Sequence, residues 1–285
     1  MINSRNALSN VRRHWHCFKW LLYTAVTIET SRIRFNFIYF ACEIVLGLVL
    51  GFSATPPYPT PKYLPVDFGI FATIRTATTI FTVPQYIDAF GARKQRDWMD
   101  RLKRHECGYD CWKVTDYPFS FYLARFLATA PVRLTGSILL SIVVYTIAKL
   151  RPDFVGYLVF TLILCIHTMT GIALSMMISA VCARNEGLNV YMSALLLNMN
   201  TMFAGNVIPP NQLPRGLSWM HYVTFTYYAT VAYNQNHYRD YILNLPQGGS
   251  ITGVQFLENR GLMGMTLWGS VGALLGCMFV YTVIG

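Results

Sequence analysis

Six long apolar stretches constrain this chain more than any other feature of its sequence. Each is about 20 residues or longer, the length of helix needed to cross a hydrocarbon layer of ~30 Å. We therefore expect six membrane-spanning helices, at Phe35–Ala54, Phe68–Ile87, Phe121–Ile147, Phe154–Val181, Gly187–Gly205 and Leu262–Ile284. The sequence predicts an all-α fold in which residues 35–285 form a six-span membrane domain.

The composition favours the same class of protein. Apolar residues make up 54% of the chain and charged residues only 13%, whereas soluble domains carry roughly 25% charged residues. A water-soluble globule and a disordered chain are both excluded by these values. The formal net charge of +10 is compatible with binding to nucleic acid or to a membrane surface. The high apolar content favours the membrane, so we expect no nucleic acid as partner.

The distribution of Lys and Arg predicts how the spans are oriented. Fourteen of the 23 basic residues lie on the side that holds both chain ends, and seven of those fourteen lie in the loop 88–118. Only six lie in the opposite connections, the largest of which is 206–260. Because basic residues stay on the cytoplasmic side, both termini and the loop 88–118 are predicted to be cytoplasmic, and 206–260 is an outer segment.

Residues 1–34 precede the first span and mix basic with aromatic side chains. Arg13 and Lys19 alternate with Trp15 and Trp20. Such a segment suits an amphipathic helix that lies in the membrane interface. We expect residues 1–34 to form a cytoplasmic interfacial connecting helix.

Patterns that carry catalysis are absent from the sequence. It contains no Gly-x-x-x-x-Gly-Lys-Ser/Thr loop for phosphates, no His-Glu-x-x-His and no Gly-x-Ser-x-Gly. His105, Cys107 and Cys111 could ligate zinc, but no fourth ligand accompanies them. We therefore expect no catalytic residue, no metal and no cofactor in this chain alone.

Two charged residues fall inside predicted spans. Glu43 lies in the first span and Arg75 in the second, and at 1.5 Å rise per residue their depths differ by only about 7 Å. Buried charges in membranes usually pair or mark a pathway. Two interpretations stay open: an intramembrane pair of Glu43 with Arg75, or an Arg75 side chain that extends alone toward the outer surface.

Closely spaced glycines occur in two spans. Gly47 and Gly51, and again Gly272 and Gly276, have the small-xxx-small spacing that allows helix backbones to approach in lipid. Packing within the chain and packing between two copies both fit this spacing.

Three motifs within and between the spans point to one family of membrane proteins. In chain order they are Val45–Gly51, Phe121–Arg125 leading to Pro131–Arg133, and Phe203–Pro209 continuing through Trp219–Tyr222 to Tyr227-Tyr228. With the order of spans and links, they resemble the transmembrane domain of ABC transporters of subfamily G, the white, breast-cancer-resistance and pleiotropic-drug-resistance group. The third motif resembles the family's Phe-Ser-Gly-x-x-Ile-Pro exit and its Trp- and Tyr-rich re-entrant outer segment.

The resemblance implies a cavity for the transported substrate. In the family, the second and fifth spans of two protomers face each other and line it. Matching the ends of those spans assigns four residues of this chain to the cavity: Thr78, Phe81, Asn198 and Thr201. Without the family, Phe81 is better explained as a lipid-facing or packing aromatic side chain.

The resemblance also assigns an outer valve and a polar relay. The valve positions, leucines in multidrug members, are Asn206 and Val207 here. A polar Asn206 suits a more hydrated path, or it could simply cap a broken helix. The relay pairs Arg133 with Asp88, as a carboxylate and a guanidinium that can form a charge-assisted bond.

The basic loop 88–118 departs from the family pattern in length. The best match places the coupling residues at Arg104, Glu106 and Gly108, with Asp100 and Arg101 as the other register. In either register the resemblance implies a surface that meets an ATPase domain. A loop that is merely charged and solvated is the alternative.

Together these features predict a membrane-spanning subunit or fragment of an ATP-driven exporter that works as a dimer on amphipathic or lipid-like substrates. Family members carry a nucleotide-binding domain before the membrane domain, and here about 34 residues precede the first span. ATP and Mg are therefore expected on a nucleotide-binding domain elsewhere. A scaffold or regulatory partner without a motor domain is the alternative, and a channel is a third.

Overall fold

The structure is a computed structural model, and it describes most of the chain. The described residues are 2–31, 33–54, 71–74, 78, 118–148, 150, 153–183, 185–240, 242–245 and 249–285. Most of the predicted second span and all of the predicted coupling surface lie outside these residues.

The described part of the chain is mostly helical, as predicted. Its helices are α1 (Ile2–Ser31), α2 (Ile33–Ala54), α3 (Pro118–Ile147), α4 (Phe154–Val181), α5 (Glu186–Met202), α6 (Met220–Val223), α7 (Phe225–Tyr238), α8 (Gly253–Asn259) and α9 (Leu267–Ile284). A 3-10 turn lies at Pro210–Gln212, and two strands, β1 (Ile242–Leu245) and β2 (Gly249–Thr252), complete the described elements.

Polar side chains fix where three of these helices begin. The Asp153 carboxylate accepts a hydrogen bond from the amide of Val155 at 3.2 Å at the start of α4. Asn185 caps α5 and Thr266 caps α9 in the same manner. Because the first amides of a helix have no partner within it, these caps satisfy donors at the ends of apolar segments.

Three described helices are long and apolar enough to cross a membrane. They are α3 from Phe119, α4 and α9. A fourth crossing is added if Phe18–Ser31 and Asn36–Phe52, which meet at 65°, count as one bent span. Helix α5 has 17 residues and is therefore about 25 Å long, shorter than the hydrocarbon layer.

Glycines bring α2 into close contact with α3. A Cβ on Gly47 would lie 2.9 Å from a methyl group of Val143, and one on Gly51 would lie 2.7 Å from Ile147. The later residue of α2 contacts the later residue of α3, so the two helices run parallel, as expected for a first and a third span. The Gly47 and Gly51 spacing thus serves packing within the chain, whereas Gly272 and Gly276 have no described neighbour atom within 4 Å of a Cβ.

Hydroxyl groups join α3 to α4. Ser137 and Thr168 share a hydrogen bond of 2.8 Å, and the Thr161 hydroxyl donates to the Ser141 hydroxyl at 3.1 Å. The later residue of α3 pairs with the earlier residue of α4, so the two helices are antiparallel. In hydrocarbon such hydrogen bonds hold helices together where apolar burial supplies little driving force.

Helix α7 lies inside the bundle, against α4 and α9. Its first ring, Phe225, packs 5.3 Å from the ring of His167 in the middle of α4, and the Asn236 amide donates to the carbonyl of Gly156 near the start of α4 at 2.9 Å. The helix therefore runs from the mid-length of α4 toward its amino-terminal end. Twelve of its residues are buried, including several polar ones.

An aromatic cluster anchors the described start of the second predicted span. Phe71 is 2% exposed and helical. Its ring stacks on Tyr233 at 6.1 Å with an interplanar angle of 4°, and it meets the rings of Phe160 and His237 at 6.0 and 5.1 Å. These contacts hold residues 71–74 against α4 and α7.

The segment 206–260 contains an element that the sequence did not predict. Strands β1 and β2 pair antiparallel, with Ile242 opposite Thr252, and α8 follows directly behind a capping box formed by Thr252 and Gln255. The fold is therefore helical with one short hairpin among the described residues.

Candidate functional site

A buried carboxylate stands in the middle of α2. Glu43 is 3% exposed, and Tyr39, one helical turn earlier on the same face, is 6% exposed. An acidic group at such a position is costly in a membrane unless a partner compensates it.

The compensating charge comes from α3. Arg133 is 2% exposed, and its guanidinium carbon lies 4.1 Å from the centre of the Tyr39 ring. The Tyr39 hydroxyl interacts with both the Glu43 carboxylate and the Arg133 guanidinium, and the two charged groups attract each other. We call these three residues the α2–α3 charge cluster.

A glycine makes room for this cluster. A Cβ on Gly136 would lie 2.5 Å from the Tyr39 ring, closer than two carbon atoms can approach. Gly136 is one turn beyond Arg133 on α3, so the same face of α3 supplies the charge and the flat surface on which Tyr39 lies. The absence of a side chain at this position lets the ring stand between the two charges.

The cluster differs from the pairings predicted from the sequence. One of the two interpretations of the sequence pairs Glu43 with Arg75, and the resemblance pairs Arg133 with Asp88. Arg75 and Asp88 lie outside the described residues, so both pairings stay predictions. Sequence reasoning missed Tyr39, although its position four residues before Glu43 was a usable signal.

Thr78, a predicted cavity residue, lies in the protein interior. It is 3% exposed, and its hydroxyl is 3.3 Å from Nδ1 of His167 on α4. His167 is itself 1% exposed and packs on the ring of Phe225. The structure therefore links the second predicted span to α4 and α7 through this polar contact, and the histidine is a residue that the sequence reasoning did not single out.

Asn198 and Thr201 share one face of α5. Asn198 is exposed and Thr201 half-buried, and their side chains donate to the carbonyls of Ala194 and Leu197 on their own helix. Both polar groups are thus available on a surface of the protomer, while Thr78 faces its interior.

The predicted valve residues follow the end of α5. Gly205 has a φ of +88°, which glycine adopts without strain and which turns the chain sharply after the helix. Val207 is 58% exposed. Both polar side-chain atoms of Asn206 are buried without a hydrogen-bond partner, so its amide does not cap α5, which ends at Met202.

A buried histidine lies beside this turn. His221 on α6 is 6% exposed and packs against the rings of Tyr222 and Tyr227, at 3.9 and 4.8 Å. Burial lowers the pKa of His221 below its ordinary value of 6.5, because an apolar surrounding disfavours the imidazolium. The side chain is therefore neutral at pH 7.

The remaining predicted site residues, Phe81 of the cavity and Arg104, Glu106 and Gly108 of the coupling surface, lie outside the described residues. Their assignments stay predictions.

Comparison with known proteins agrees with this architecture. Residues 115–238, which include α3, α4, α5, α6 and α7, match the family described as "ABC-2 type transporter". The chain is 25% identical over 248 residues to "ABC transporter G family member 23" of Arabidopsis thaliana, an alignment that covers 85% of this chain and 37% of that protein.

Two further relatives come from Dictyostelium discoideum. "ABC transporter G family member 7" is 25% identical over 126 residues, covering 44% of this chain and 15% of the relative. "ABC transporter G family member 22" is 26% identical over 142 residues, covering 50% and 23%. The chain thus spans well under half the length of the curated relatives that it matches. These matches make the chain similar to the membrane domain of ABC-2 type transporters and to the ABC transporter G family members named above.

Proposed function

We propose that this chain forms the membrane path of an ATP-driven exporter that acts as a dimer on amphipathic or lipid-like substrates. The observation that carries the proposal is the ABC-2 type transporter match over residues 115–238, because these residues make up most of the described helical bundle. ATP and Mg bind to a nucleotide-binding domain on another part of the protein or on a partner, since the sequence given contains no phosphate-binding loop.

The α2–α3 charge cluster supplies a physical route for the coupling. In the proposed cycle, the ATPase domain pushes the loop 88–118, which leads directly into α3. Arg133 on α3 is bound through Tyr39 to Glu43 on α2, so a shift of α3 moves α2 with it. A buried cluster favours one discrete arrangement of the two helices, as a two-state transport cycle requires.

The substrate class rests on the mixture of side chains at the proposed path. Asn198 and Thr201 present polar groups on a face of α5 that also carries exposed Leu195 and Met202. A molecule with one polar and one apolar part suits such a face. Phe81 would add an aromatic surface, and Asn206 would add a polar group at the exit.

The proposal is tested by reconstitution in lipid vesicles. The chain is produced with its nucleotide-binding domain, as one polypeptide if the upstream coding sequence contains a phosphate-binding loop and otherwise with each ABC ATPase of the same organism. Fluorescent lipid analogues and amphipathic dyes are then assayed for ATP-dependent movement. We expect transport and substrate-stimulated ATP hydrolysis, and loss of both in Arg133→Ala.

The exposed Arg215 in the outer segment provides the matched control, and Arg215→Ala should leave transport unchanged. Absence of stimulated hydrolysis with every ATPase would favour the scaffold or regulatory partner instead. ATP-independent conductance across a planar bilayer would favour the channel.

A further inference from the structure

A line of buried polar side chains runs along helices α5 and α7. On α5 the line consists of Asn189, Ser193 and Asn200, which are 4%, 1% and 5% exposed. Their spacing of four and seven residues places them on one face of the helix. Polar side chains buried in a membrane protein are costly unless they are hydrogen-bonded, and the Asn200 amide donates to the carbonyl of Leu196 on its own helix.

Helix α7 continues the line. Thr226, Thr230 and Asn234, each four residues from the next, are 2%, 1% and 0% exposed. The two stripes meet where the Thr226 hydroxyl donates to the backbone carbonyl of Asn200, with the Asn200 side-chain oxygen 3.5 Å away. We call the six residues on the two helices the polar seam.

The seam extends over the length of the bundle. Helix α5 begins next to the end of α4, and its residue Asn200 reaches Thr226, beside Phe225, which contacts His167 at the mid-length of α4. From there α7 follows α4 to its start, where Asn236 bonds Gly156. Because α4 has 28 residues, the seam runs parallel to a helix about 42 Å long.

Several buried polar atoms in this region have no protein partner. Within the part of the chain that the structure describes, Ser193, Asn206, His221, Asn234 and Ser270 each bury at least one side-chain nitrogen or oxygen that makes no hydrogen bond. Leaving such an atom dry costs free energy comparable to a lost hydrogen bond. Five residues with such atoms, from α5 to α9, indicate a ligand that supplies hydrogen bonds.

Two of these atoms lie at the same level on neighbouring antiparallel helices. Phe225 meets Tyr281 and Tyr228 lies beside Cys277, so the pairing of α7 with α9 puts Asn234 level with Ser270. Both are 0% exposed. Two unpaired polar groups at one level are the usual setting of a bound water.

We propose that the polar seam and the turn after α5 hold a file of bound water molecules inside each protomer. Water is the occupant, because the unpartnered side chains are uncharged hydroxyl, amide and imidazole groups, each of which a water molecule can satisfy with a hydrogen bond.

The test uses hydroxyl radicals generated from water by X-ray pulses in protein held in lipid nanodiscs. Cysteine is introduced as Ser193→Cys and Ser270→Cys, and its oxidation is quantified on peptides by mass spectrometry. Ala173→Cys is the control, because Ala173 on α4 is also 0% exposed and packs in an apolar cluster with Tyr122 and Met176. We expect oxidation at least ten-fold faster at position 193 in the seam and at position 270 beside it than at the control.

Equal oxidation at all three positions would overturn the proposal. If a cysteine variant does not fold, the sign of the change in Tm in Ser193→Ala and Ser270→Ala distinguishes a dry hydroxyl from one that binds water. A dry hydroxyl without a partner is a penalty, so its removal raises the Tm; a hydroxyl that binds water contributes a bond, so its removal lowers the Tm. Neither measurement requires transport, so the result is independent of the proposed function.

Discussion

The α2–α3 charge cluster makes a quantitative prediction about stability. Removing one member of a buried ion pair leaves the other charge uncompensated, which costs about 3–5 kcal/mol in buried sites. Glu43 and Arg133 are 3% and 2% exposed, so this range applies to them with little reduction by solvent. We expect Glu43→Ala to lower the free energy of unfolding by about 3–5 kcal/mol, equivalent to a loss of roughly 6–20 °C in Tm.

A double-mutant cycle separates the pairing from the loss of each side chain. Removing both charges should cost less than the sum of the two single changes, with a coupling of about 0.5–3 kcal/mol. A double variant with apolar replacements, Glu43→Leu with Arg133→Met, should recover much of the lost stability, since apolar packing replaces buried pairs at little cost. Tm is measured in detergent micelles by intrinsic fluorescence, and the fraction of monodisperse protein is recorded for each variant.

Glu258→Gln is the matched control, because Glu258 is an exposed carboxylate on α8 and should change stability by no more than about 0.5 kcal/mol. The reasoning is refuted if Glu43→Ala lowers the Tm no more than this control, or if the cycle gives no coupling between Glu43 and Arg133.

The fold makes three further predictions. Gly136→Ala should destabilise the protein by about 1–3 kcal/mol, because its Cβ would lie 2.5 Å from the aromatic ring packed on α3, whereas Gly272→Ala, with no described atom within 4 Å of its Cβ, should leave the Tm unchanged; equal effects would contradict the packing. Thr78→Val should cost about 1–2 kcal/mol by leaving the buried His167 without its hydroxyl partner, and a thermal shift would check it. Burial lowers the pKa of His221, so the unfolded chain takes up a proton first and stability should fall as the pH drops through 6.5; a Tm series against pH should show a shallower fall in His221→Gln, and identical series would contradict the assignment.

Helix positions were the best-predicted part of the fold. The predicted span Phe154–Val181 coincides with α4, and Phe121–Ile147 lies within α3. Long apolar stretches bounded by polar residues such as Asp153 and Asn185 leave the chain little choice of structure in lipid. The hairpin of β1 and β2 was not predicted, because its strands are only four residues long and show no strong alternation.

The candidate site was predictable only in part. Glu43 and Arg133 stood out because charges are rare in apolar helices, but a sequence does not state which helix faces which. Their contact through Tyr39 depends on the parallel packing of α2 and α3, which in turn depends on Gly47, Gly51 and Gly136. The polar seam shared by α5 and α7 was invisible for the same reason.

The sequence by itself determined that this chain enters a membrane and where its long apolar helices lie, because hydrophobic length is a local property of the chain. Only the tertiary structure decided the partners: Tyr39 between two charges, Thr78 on His167, and two polar stripes joined at Asn200. Those pairings follow from the rotation and register of each helix against its neighbours, which long-range packing fixes and local sequence does not encode.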